Sequence, residues 1–245
     1  MSVSTVAMPT PERLAAIGGI LFDKDGTLLD FNESWEPVNR AVALMAAGGD
    51  AVLAADLLRL CGMDPATGMI APDSLFAAAN TREIADAMIA AGARFELEVL
   101  VARIDAEFAG AADQSVPVAA LAPLFASLSA RGLKLGIASS DNERSIRAIA
   151  ARFGLDPYLD FVAGYDSGHG VKPEAGMVLA FCDATGLEPH QVAVVGDNNH
   201  DMHMGRNAGA GLTIAVLSGT GLRETLAAHS DLILDDVTGL PVLFG

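Results

Sequence analysis

Short apolar runs that end in a small or acidic residue recur along this chain and constrain its fold more than any other feature. From residue 133 onward they alternate with helical patterns at short spacing, which is typical of a parallel β-sheet with helices on both faces. Right-handed crossovers would bring the carboxyl ends of the strands to one edge of the sheet, where ligands of such sheets bind. The runs are GILFD (19–23), LKLGIAS (133–139), FVAG (161–164), VAVVGD (192–197), LTIAVL (212–217) and DLILDD (231–236), the last predicted as an edge strand.

The segment between residue 31 and about residue 115 follows a different pattern. Ala and Leu repeat there at helical spacing, and no run has the character of a strand. We therefore predict an α/β fold in which a Rossmann-like parallel-sheet core, residues 1–30 and 116–245, carries an inserted all-helical cap domain, residues 31–115. Residues 1–16 are expected to form a loose lead-in to this core. The helical stretches are 33–49, 50–63 and 82–110.

The charge and the cysteine content exclude several classes of protein. A formal net charge of −16 over 245 residues argues against nucleic acid or an anionic membrane surface as a partner. We expect no secretory signal, because the N-terminus lacks a basic start and a long apolar core, and no membrane span. Cys61 and Cys182 provide no disulfide framework, which favours the reducing cytoplasm. We expect a cytoplasmic monomer or homodimer.

Two aspartates follow the first apolar run, in the stretch FDKDGT. Asp23 and Asp25 are two positions apart, so in an extended strand their side chains would share a face, about 6–7 Å apart. Strand alternation would turn the Lys24 side chain away from them. Carboxylates that close raise each other's pKa. The pair is therefore expected to lie beside a cation or to include a protonated member, unless it merely precedes an Asp-Gly turn at Gly26.

A serine pair ends the second run and should meet the aspartates at the same edge. Ser139 closes the predicted strand, and Ser140 has the spacing to Glu143 of a helix capping box. A serine hydroxyl beside the free N–H groups of a helix start can hold an anion. The alternative is that the serine at the strand end, Ser139, only caps the following helix.

Lys172 and a second pair of aspartates complete the polar features at this edge. Lys172 precedes Pro173, which is well placed to open a helix, and the lysine could face the same anion. Asp197 ends a predicted strand, and Asp201 follows four residues later. Several carboxylates at one edge suit a hard divalent cation such as Mg²⁺, which prefers oxygen ligands.

Each of these features has a purely structural explanation when it is taken alone. A Lys-Pro pair is common, and Asp197 with Asp201 could be a turn acid and a helix cap. His200 and His203 have a spacing that can hold a transition metal, but they are more typical of solvated loop residues. The order and the position of the four features together are far more specific than any one of them.

The four features resemble the motifs of the haloacid dehalogenase superfamily of phosphohydrolases. The resemblance covers nearly the whole chain, and it extends to GRNAGAG (205–211) and GTGLRETL (219–226) downstream. In layout the chain is most similar to phosphoglycolate-phosphatase-like and beta-phosphoglucomutase-like members, whose helical C1 cap lies between the first two motifs. The motifs are DKDGT (23–27), IAS (137–139), KP (172–173) and GDNNHD (196–201).

The resemblance implies a role for each acidic residue. Asp23 would be the nucleophile that attacks phosphorus to form an aspartyl-phosphate. Asp25 would protonate the leaving oxygen and then activate water. Mg²⁺ would be held by Asp23, the backbone carbonyl of Asp25 and Asp197, with Asp201 behind them acting through water or Lys172.

The resemblance also implies which groups hold the phosphoryl oxygens. Ser139 and Lys172 would contact them as charge develops, and Ser140 belongs to the same substrate-binding set. Gly26 and Thr27 would supply backbone N–H groups and fix the preceding aspartate.

The activity implied in this way is that of a Mg²⁺-dependent phosphatase of small phosphorylated metabolites, either phosphoglycolate-like esters or sugar phosphate monoesters. Asp25 favours phosphate esters, because family members that cleave carbon–phosphorus bonds usually have Ala there. A phosphomutase of the beta-phosphoglucomutase type is the nearest alternative. A non-catalytic phosphoacceptor resembling receiver domains and an inactive phosphate-binding family member are two others.

Residues near the join of core and cap could recognise the rest of the substrate. After the first motif the chain reads DFNESWEPVNR, which departs from the Asp-Ser of many phosphoglycolate phosphatases. Asn32, Trp35 or Arg82 would be the candidates. We favour a structural interpretation for each, in which Phe31 and Trp35 pack the seam, Asn80 caps a helix with Glu83, and Arg82 is merely exposed.

Overall fold

The computed structural model describes residues 8–245; residues 1–7, part of the predicted lead-in, lie outside the described residues. Within residues 8–245 one sheet contains the strands β1 (Gly19–Phe22), β2 (Lys134–Ala138), β3 (Phe161–Ala163), β4 (Val192–Gly196), β5 (Leu212–Val216) and β6 (Leu232–Leu234). Their order across the sheet is β3-β2-β1-β4-β5-β6, and every neighbouring pair is parallel. The chain is therefore an α/β protein, as predicted.

Helices connect these strands and cover the sheet. None of the helices in the described part of the chain combines the length and the apolar character that crossing a membrane requires. The α-helices are α1 (Pro11–Ala15), α2 (Phe31–Ala46), α3 (Ala51–Leu60), α4 (Leu75–Ala78), α5 (Thr81–Ala90), α6 (Leu97–Gly110), α7 (Leu121–Ser129), α8 (Glu143–Arg152), α9 (Gly176–Thr185), α10 (Asn199–Ala208), α11 (Arg223–Leu226) and α12 (Leu240–Leu243). The 3₁₀ turns are Ala111–Gln114, Asp156–Tyr158, Pro189–Gln191 and Val237–Gly239.

The strands match the predicted apolar runs to within two residues at each end. The central strand β1 is buried at all four positions, since helices cover both of its faces, and such strands read as continuous apolar runs. Strand β6 lies at the edge of the sheet, as predicted for the weakest run.

Two apolar layers, one on each face, attach the helices to the sheet. On one face α7, α8 and α12 pack against the strands, and the rings of Phe22 and Phe125 lie 5.0 Å apart. On the other face α9 and α10 pack against β1 and β4, with Leu21 and Phe181 fully buried. Helices of the core therefore cover both faces of the sheet, and its carboxyl edge faces the cap.

The helices α2 to α6, inserted after β1, have a hydrophobic cluster of their own. It is centred on Val42, Leu57, Met88 and Leu100, whose side chains are completely buried. The predicted helical stretch 82–110 is two helices, because the chain turns at Gly92, where φ is +116°. The inserted all-helical region is thus present, and the exact cap boundaries 31–115 stay a prediction.

The capping box predicted for Ser140 and Glu143 is wrong. Helix α8 begins at Glu143, and its cap is Asn142, whose side chain accepts a hydrogen bond of 2.9 Å from the Ser145 N–H. Ser140 lies two residues earlier and directs its hydroxyl toward the cap domain instead.

The helix predicted to open at Pro173 begins later, at Gly176. The Glu174 N–H donates to the Val171 carbonyl at 2.7 Å, which folds the intervening Lys172 and Pro173 into a turn. This turn directs the lysine side chain into the site described below.

The described part of the lead-in is attached to the core. Helix α1 carries Arg13, whose guanidinium donates to the Gly211 carbonyl at 2.7 Å and to Asp231 at 3.1 Å. Both acceptors flank strands β5 and β6. Residues 8–16 therefore lie against the sheet.

Candidate active site

The carboxyl ends of β1, β2 and β4 meet where the strand order reverses, the usual ligand position in such sheets. Asp23 follows β1, Ser139 follows β2 and Asp197 follows β4, while Lys172 lies in the loop after β3. All four line one cavity of about 60 Å³, which cap residues close from the opposite side. The structure therefore brings the predicted features together.

Lys172 lies between two buried aspartates. Its Nζ is 2.5 Å from Asp23 Oδ1 and 2.6 Å from Asp201 Oδ1. Burial alone would lower the pKa of Lys172, but the two carboxylates outweigh burial and raise it, so the lysine stays protonated. The predicted contact between Asp201 and Lys172 is present.

Asp197 is fixed by the loop after β5. Its Oδ2 accepts a hydrogen bond of 2.8 Å from the Thr220 N–H, and the side chain is almost completely buried. Glycine is required beside it, because a Cβ at Gly219 would lie 2.0 Å from Oδ2, and one at Gly26 would lie 2.6 Å from Asp197 Cγ. Gly26 also has φ of +82°, which disfavours other residues.

Asp23, Asp197 and Asp201 form a cluster of oxygen ligands. One carboxylate oxygen from each lies within 4.8 Å of the others. Burial raises the pKa of Asp23 to about 6, and burial together with Asp23 and Asp201 raises the pKa of Asp197 well above its usual range. Buried carboxylates that disfavour one another's charge fit a hard divalent cation, which would relieve the repulsion.

Asp25 lies apart from this cluster, in contact with a lysine and a cap tryptophan. The Lys24 Nζ donates to Asp25 Oδ1 at 2.9 Å, and the Trp35 indole N–H donates to the same oxygen at 2.7 Å. Burial raises the pKa of Asp25 to about 6, with Lys24 opposing the rise and Asp141 and Asp23 adding to it. Asp25 can therefore both give and take a proton near neutral pH.

The prediction that Lys24 points away from the aspartates is wrong in respect of Asp25. Strand β1 ends at Phe22, so side-chain alternation no longer applies at Lys24. Its ammonium group is buried between Asp25 and Asp141, and it lies 4.9 Å from the centre of the Trp35 ring. Lys24 therefore also contacts the cap, through Trp35.

Asp141 is a site residue that sequence reasoning missed. Its Oδ2 accepts from the Lys24 ammonium at 3.0 Å, and its backbone N–H donates to Ser139 Oγ at 3.1 Å. It belongs to the stretch SSDN (139–142), whose sequence predicts only the start of a helix. Nothing in the sequence pattern separates a buried aspartate here from an exposed helix cap.

The two serines of the second motif occupy different positions. Ser139 lines the cavity, and because its Oγ accepts from the Asp141 N–H, its own proton is available to an anion. Ser140 also lines the cavity, but its hydroxyl donates to the Ala78 carbonyl of the cap at 3.3 Å. Ser140 is therefore a core–cap contact in this structure.

Gly26 and Thr27 do not line the cavity directly. The Gly26 N–H, assigned to substrate by the resemblance, donates to the Leu29 carbonyl at 2.9 Å. Thr27 is fully buried, and its hydroxyl has no hydrogen-bond partner within the described residues. In this structure Gly26 serves the site by the space it leaves for Asp197.

The structural interpretation fits most of the seam residues. Arg82 pairs with Glu98 at 2.8 Å on the surface, and Asn80 forms the expected capping box with Glu83. Trp35 has both roles, because it packs edge-on against Phe108 at 4.8 Å and also donates to the catalytic-motif carboxylate described above. Phe31 lines the cavity, whereas Arg82 and Asn32 do not.

The two histidines after Asp197 have separate environments. His200 lines the cavity, and its Nδ1 is buried without a hydrogen-bond partner in the described chain. His203 instead stacks on His229, with ring centroids 4.4 Å apart, and it does not line the cavity. The two do not face one site, so their spacing gives no support to a transition-metal centre.

A further polar contact, which was not predicted, joins the cap to the core. Asp105 of α6 accepts hydrogen bonds from the Tyr165 hydroxyl at 2.9 Å and from the Asn142 side-chain amide at 3.2 Å. Together with the contacts of Trp35 and Ser140, this bond holds the cap against the carboxyl edge of the sheet.

Comparisons with known proteins give consistent relatives. The chain is 35% identical over 131 residues to a phosphoglycolate phosphatase of Rhodospirillum rubrum, a match that covers 53% of each protein. It is 27% identical over 115 residues to the pyrophosphatase PpaX of Bacillus pumilus, covering 47% of this chain and 53% of the relative. The matched region thus spans about half the length of each of these curated relatives.

Solved structures share the whole fold at lower identity. A haloacid dehalogenase-like hydrolase from Bacteroides fragilis superposes with a TM-score of 0.71 at 20% identity, covering 91% of this chain and 99% of the other. CbbY from Rhodobacter sphaeroides, solved in complex with phosphate, has a TM-score of 0.68 at 17% identity, covering 91% and 96%. These likenesses concern the fold.

The family assignment follows from a match that spans most of the chain. Residues 17–209 fit the haloacid dehalogenase-like hydrolase family, and they include Asp23, Ser139, Lys172 and Asp197. The resemblance drawn from the four motifs is therefore confirmed. This chain belongs to the haloacid dehalogenase-like hydrolase family.

Proposed function

We propose that this protein is a Mg²⁺-dependent phosphatase that hydrolyses small phosphate monoesters, phosphoglycolate-like or sugar phosphates, through an aspartyl-phosphate on Asp23. One observation carries the proposal: Asp23 and Asp25 line one cavity but have different partners, Lys172 for the first and Lys24 with Trp35 for the second. Two carboxylates in unlike environments suit two different roles. The likeness to a phosphoglycolate phosphatase supports the same activity.

In the first step Asp23 attacks phosphorus, and the bond to the leaving oxygen breaks as the new one forms. Lys172 and the Ser139 hydroxyl hold the phosphoryl oxygens, and Asp25 gives its proton to the departing alcohol. In the second step the ionised Asp25 takes a proton from water, which attacks the aspartyl-phosphate. The products are the alcohol and phosphate, with both aspartates returned to their starting states.

The oxygen cluster would hold the metal in this reaction. Asp23, Asp197 and Asp201 offer the carboxylate oxygens, and we propose the Asp25 backbone carbonyl as a further ligand. A bound Mg²⁺ supplies charge that allows an anionic nucleophile to approach an anionic phosphate. Whether Asp201 binds the metal directly or stands behind the ligands stays a prediction; one of its oxygens lies within 4.8 Å of an oxygen of each of the other two.

We further propose that residues 31–115 act as a cap that excludes bulk water during turnover. The hydrogen bonds from Ser140 to Ala78 and from Tyr165 to Asp105 support this closed arrangement. A cytoplasmic location agrees with two buried thiols, Cys61 and Cys182. The oligomeric state, monomer or homodimer, stays a prediction.

The direct test of this function uses a generic aryl phosphate with and without Mg²⁺. We expect turnover in wild type that is lost on metal removal, and Asp23→Asn should reduce kcat to background, because an amide cannot form the phosphoenzyme. Asp56→Asn, an exposed aspartate on α3, is the control and should keep full activity. Turnover by Asp23→Asn equal to that of wild type would contradict the mechanism.

A phosphomutase would use the same aspartyl-phosphate. It would differ by transferring the phosphoryl group back to a sugar, so its turnover would require a catalytic amount of a sugar bisphosphate. Stimulation of product formation by such a bisphosphate would favour the mutase. A folded wild-type protein that neither hydrolyses the aryl phosphate nor isomerises a sugar phosphate in the presence of a sugar bisphosphate would indicate an inactive phosphate-binding member. The family match excludes the receiver-domain alternative.

Trp35→Phe should change the pH dependence of the reaction. The substitution keeps an aromatic ring against Phe108 but removes the N–H that stabilises the charged form of Asp25. Losing that hydrogen bond raises the pKa of Asp25, so the upper limb of kcat/KM against pH should move up by about half to one pH unit. An alkyl phosphate is needed, because its leaving group requires the protonated acid.

The matched control for Trp35→Phe is an aryl phosphate of low leaving-group pKa. Its leaving oxygen needs no proton, so its upper limb should not move with that of the alkyl phosphate. An unshifted limb for the alkyl phosphate in a folded Trp35→Phe protein would show that the indole N–H does not control Asp25.

A further inference from the structure

The cap side of the cavity is almost entirely apolar. It consists of Phe31, Trp35, Phe76, Ile84, Phe108 and the alanines 77–79. The Trp35 N–H is already donated to Asp25, so it is not available to a ligand. With the phosphate held at Asp23 and Lys172, the leaving group of a substrate would lie against this wall.

One polar group interrupts this apolar wall. Asn39 lies one helical turn after Trp35 on α2, so the two side chains share a face. Asn39 is 2% exposed and lines the cavity, yet its Nδ2 has no hydrogen-bond partner among the described residues. A buried amide N–H without an acceptor costs about 1–3 kcal/mol, which an acceptor on a bound ligand would recover.

The charges around the cavity disfavour a second anion on the substrate. Among the described residues that line it, Lys172 is the only Lys or Arg, and two carboxylates already contact its ammonium group. His200 also lines the cavity, but in sequence it lies between the acidic residues Asp197 and Asp201, on the phosphate side. A carboxylate against the cap wall would therefore be desolvated without a cationic partner, which is strongly unfavourable.

We propose that Asn39 determines specificity by donating a hydrogen bond to one uncharged oxygen, a hydroxyl or a carbonyl, on the leaving group of the substrate. The substrate class is then a small phosphate monoester whose alcohol part is neutral, with an apolar stem against the cap wall. Esters with a carboxylate or a second phosphate are disfavoured. This inference rests on the proposed function and narrows it to neutral alcohol phosphates, so it keeps the sugar phosphates and removes the phosphoglycolate-like esters.

The test compares three sets of compounds matched in the total number of carbons, from two to four, with the carboxyl carbon included in the count. The sets are alkyl phosphates, ω-hydroxyalkyl phosphates and ω-carboxyalkyl phosphates; the shortest hydroxyl and carboxylate members are 2-hydroxyethyl phosphate and phosphoglycolate. We expect kcat/KM for the best hydroxyl compound to exceed that of its alkyl and carboxylate partners by at least about tenfold.

The variant Asn39→Leu separates this role from a structural one. Leucine has a similar volume without the donor, so the preference for hydroxyl over alkyl compounds should fall to about onefold, whereas a purely structural asparagine would leave that ratio unchanged. Gln114→Leu is the control, since this exposed cap amide does not line the cavity. It should keep the wild-type ratio.

Calorimetry measures binding of the same compounds to Asp23→Asn. It separates failure of the proposed phosphatase function from failure of the specificity role of Asn39. If aryl phosphate is not hydrolysed, the proposed function fails, while a hydroxyl preference in binding that depends on Asn39 would still support the site. The inference is overturned if carboxylate compounds bind or react as well as hydroxyl compounds, or if Asn39→Leu leaves the hydroxyl preference unchanged.

Discussion

Asp25→Asn is expected to slow the hydrolysis of an alkyl phosphate by about 10²- to 10⁴-fold, the usual range for a lost general acid–base group. The carboxyl group of Asp25 accepts hydrogen bonds from Lys24 and Trp35, and burial raises its pKa to about 6. It is therefore present in both protonation states near neutral pH. Asparagine keeps the shape and can accept the same hydrogen bonds, but it cannot transfer a proton.

The two chemical steps should respond differently to Asp25→Asn, which makes the prediction specific. An aryl phosphate has a leaving group that needs no proton, so the variant should still phosphorylate Asp23. Because asparagine cannot activate water, the phosphoenzyme should then accumulate. Rapid-quench measurements should show a burst of the released phenol that approaches one equivalent per enzyme, followed by slow turnover.

The control for this experiment is Asp160→Asn, which removes a partly exposed carboxylate that pairs with Lys134 far from the site. It should show no burst and unchanged turnover. An Asp25→Asn protein that slows alkyl and aryl phosphates equally, without a burst, would show that Asp25 acts through position or charge alone.

The sheet could be predicted from the sequence because buried parallel strands leave an unambiguous pattern. Strand β1 is covered on both faces and contains only GILF, and each of the other strands is likewise a short apolar run. The polar residues that follow β1, β2 and β4 then had to meet at one edge. This placement, independent of side-chain detail, located Asp23, Ser139 and Asp197.

The helix starts in the loops could not be predicted from the same pattern. Ser140 and Glu143 have capping-box spacing, but Ser140 bonds to the cap carbonyl of Ala78 and the cap role falls to Asn142. The Glu143 N–H in turn donates to Asp166, which comes from the loop after β3. Contacts with distant parts of the chain therefore determine where helix α8 begins, and the local sequence pattern does not contain them.

The residues that the sequence missed depend on the docking of the cap. Lys24 turns toward Asp25 and Asp141 because the strand has already ended, and the bond of Trp35 to Asp25 exists only when α2 lies over the sheet edge. Asn39 likewise becomes notable only as an unpartnered buried amide. Periodicity predicts that α2 has a buried face, but it does not predict what that face contacts.

Lys172→Met is expected to destabilise the metal-free protein by about 3–5 kcal/mol, the usual effect of removing one partner of a buried ion pair. The Lys172 side chain is 2% exposed and lies between Asp23 and Asp201, with Asp197 in the same cluster. Methionine has a similar length and fills much of the space. Its introduction leaves three buried carboxylates without the ammonium group. Urea unfolding in the presence of a chelator measures the loss.

The destabilisation should depend on pH in a defined direction. Burial already raises the pKa of Asp23 to about 6 and raises that of Asp197 well above its usual range, and removing Lys172 would raise both pKa values again. Groups with a raised pKa in the folded state bind more protons there than in the unfolded chain, so stability falls as pH rises. The deficit of Lys172→Met should therefore be larger at about pH 8 than at about pH 5.5.

Magnesium should act in the opposite direction and identify the cause of the loss. With the ammonium group absent, the cluster of Asp23, Asp197 and Asp201 is more negative, so Mg²⁺ should stabilise Lys172→Met more than it stabilises wild type. Lys134→Met is the control, because its pair with Asp160 is exposed and contributes only about 0.2–1 kcal/mol. A loss for Lys172→Met as small as for Lys134→Met, or one insensitive to both pH and Mg²⁺, would show that the lysine does not balance the buried carboxylates.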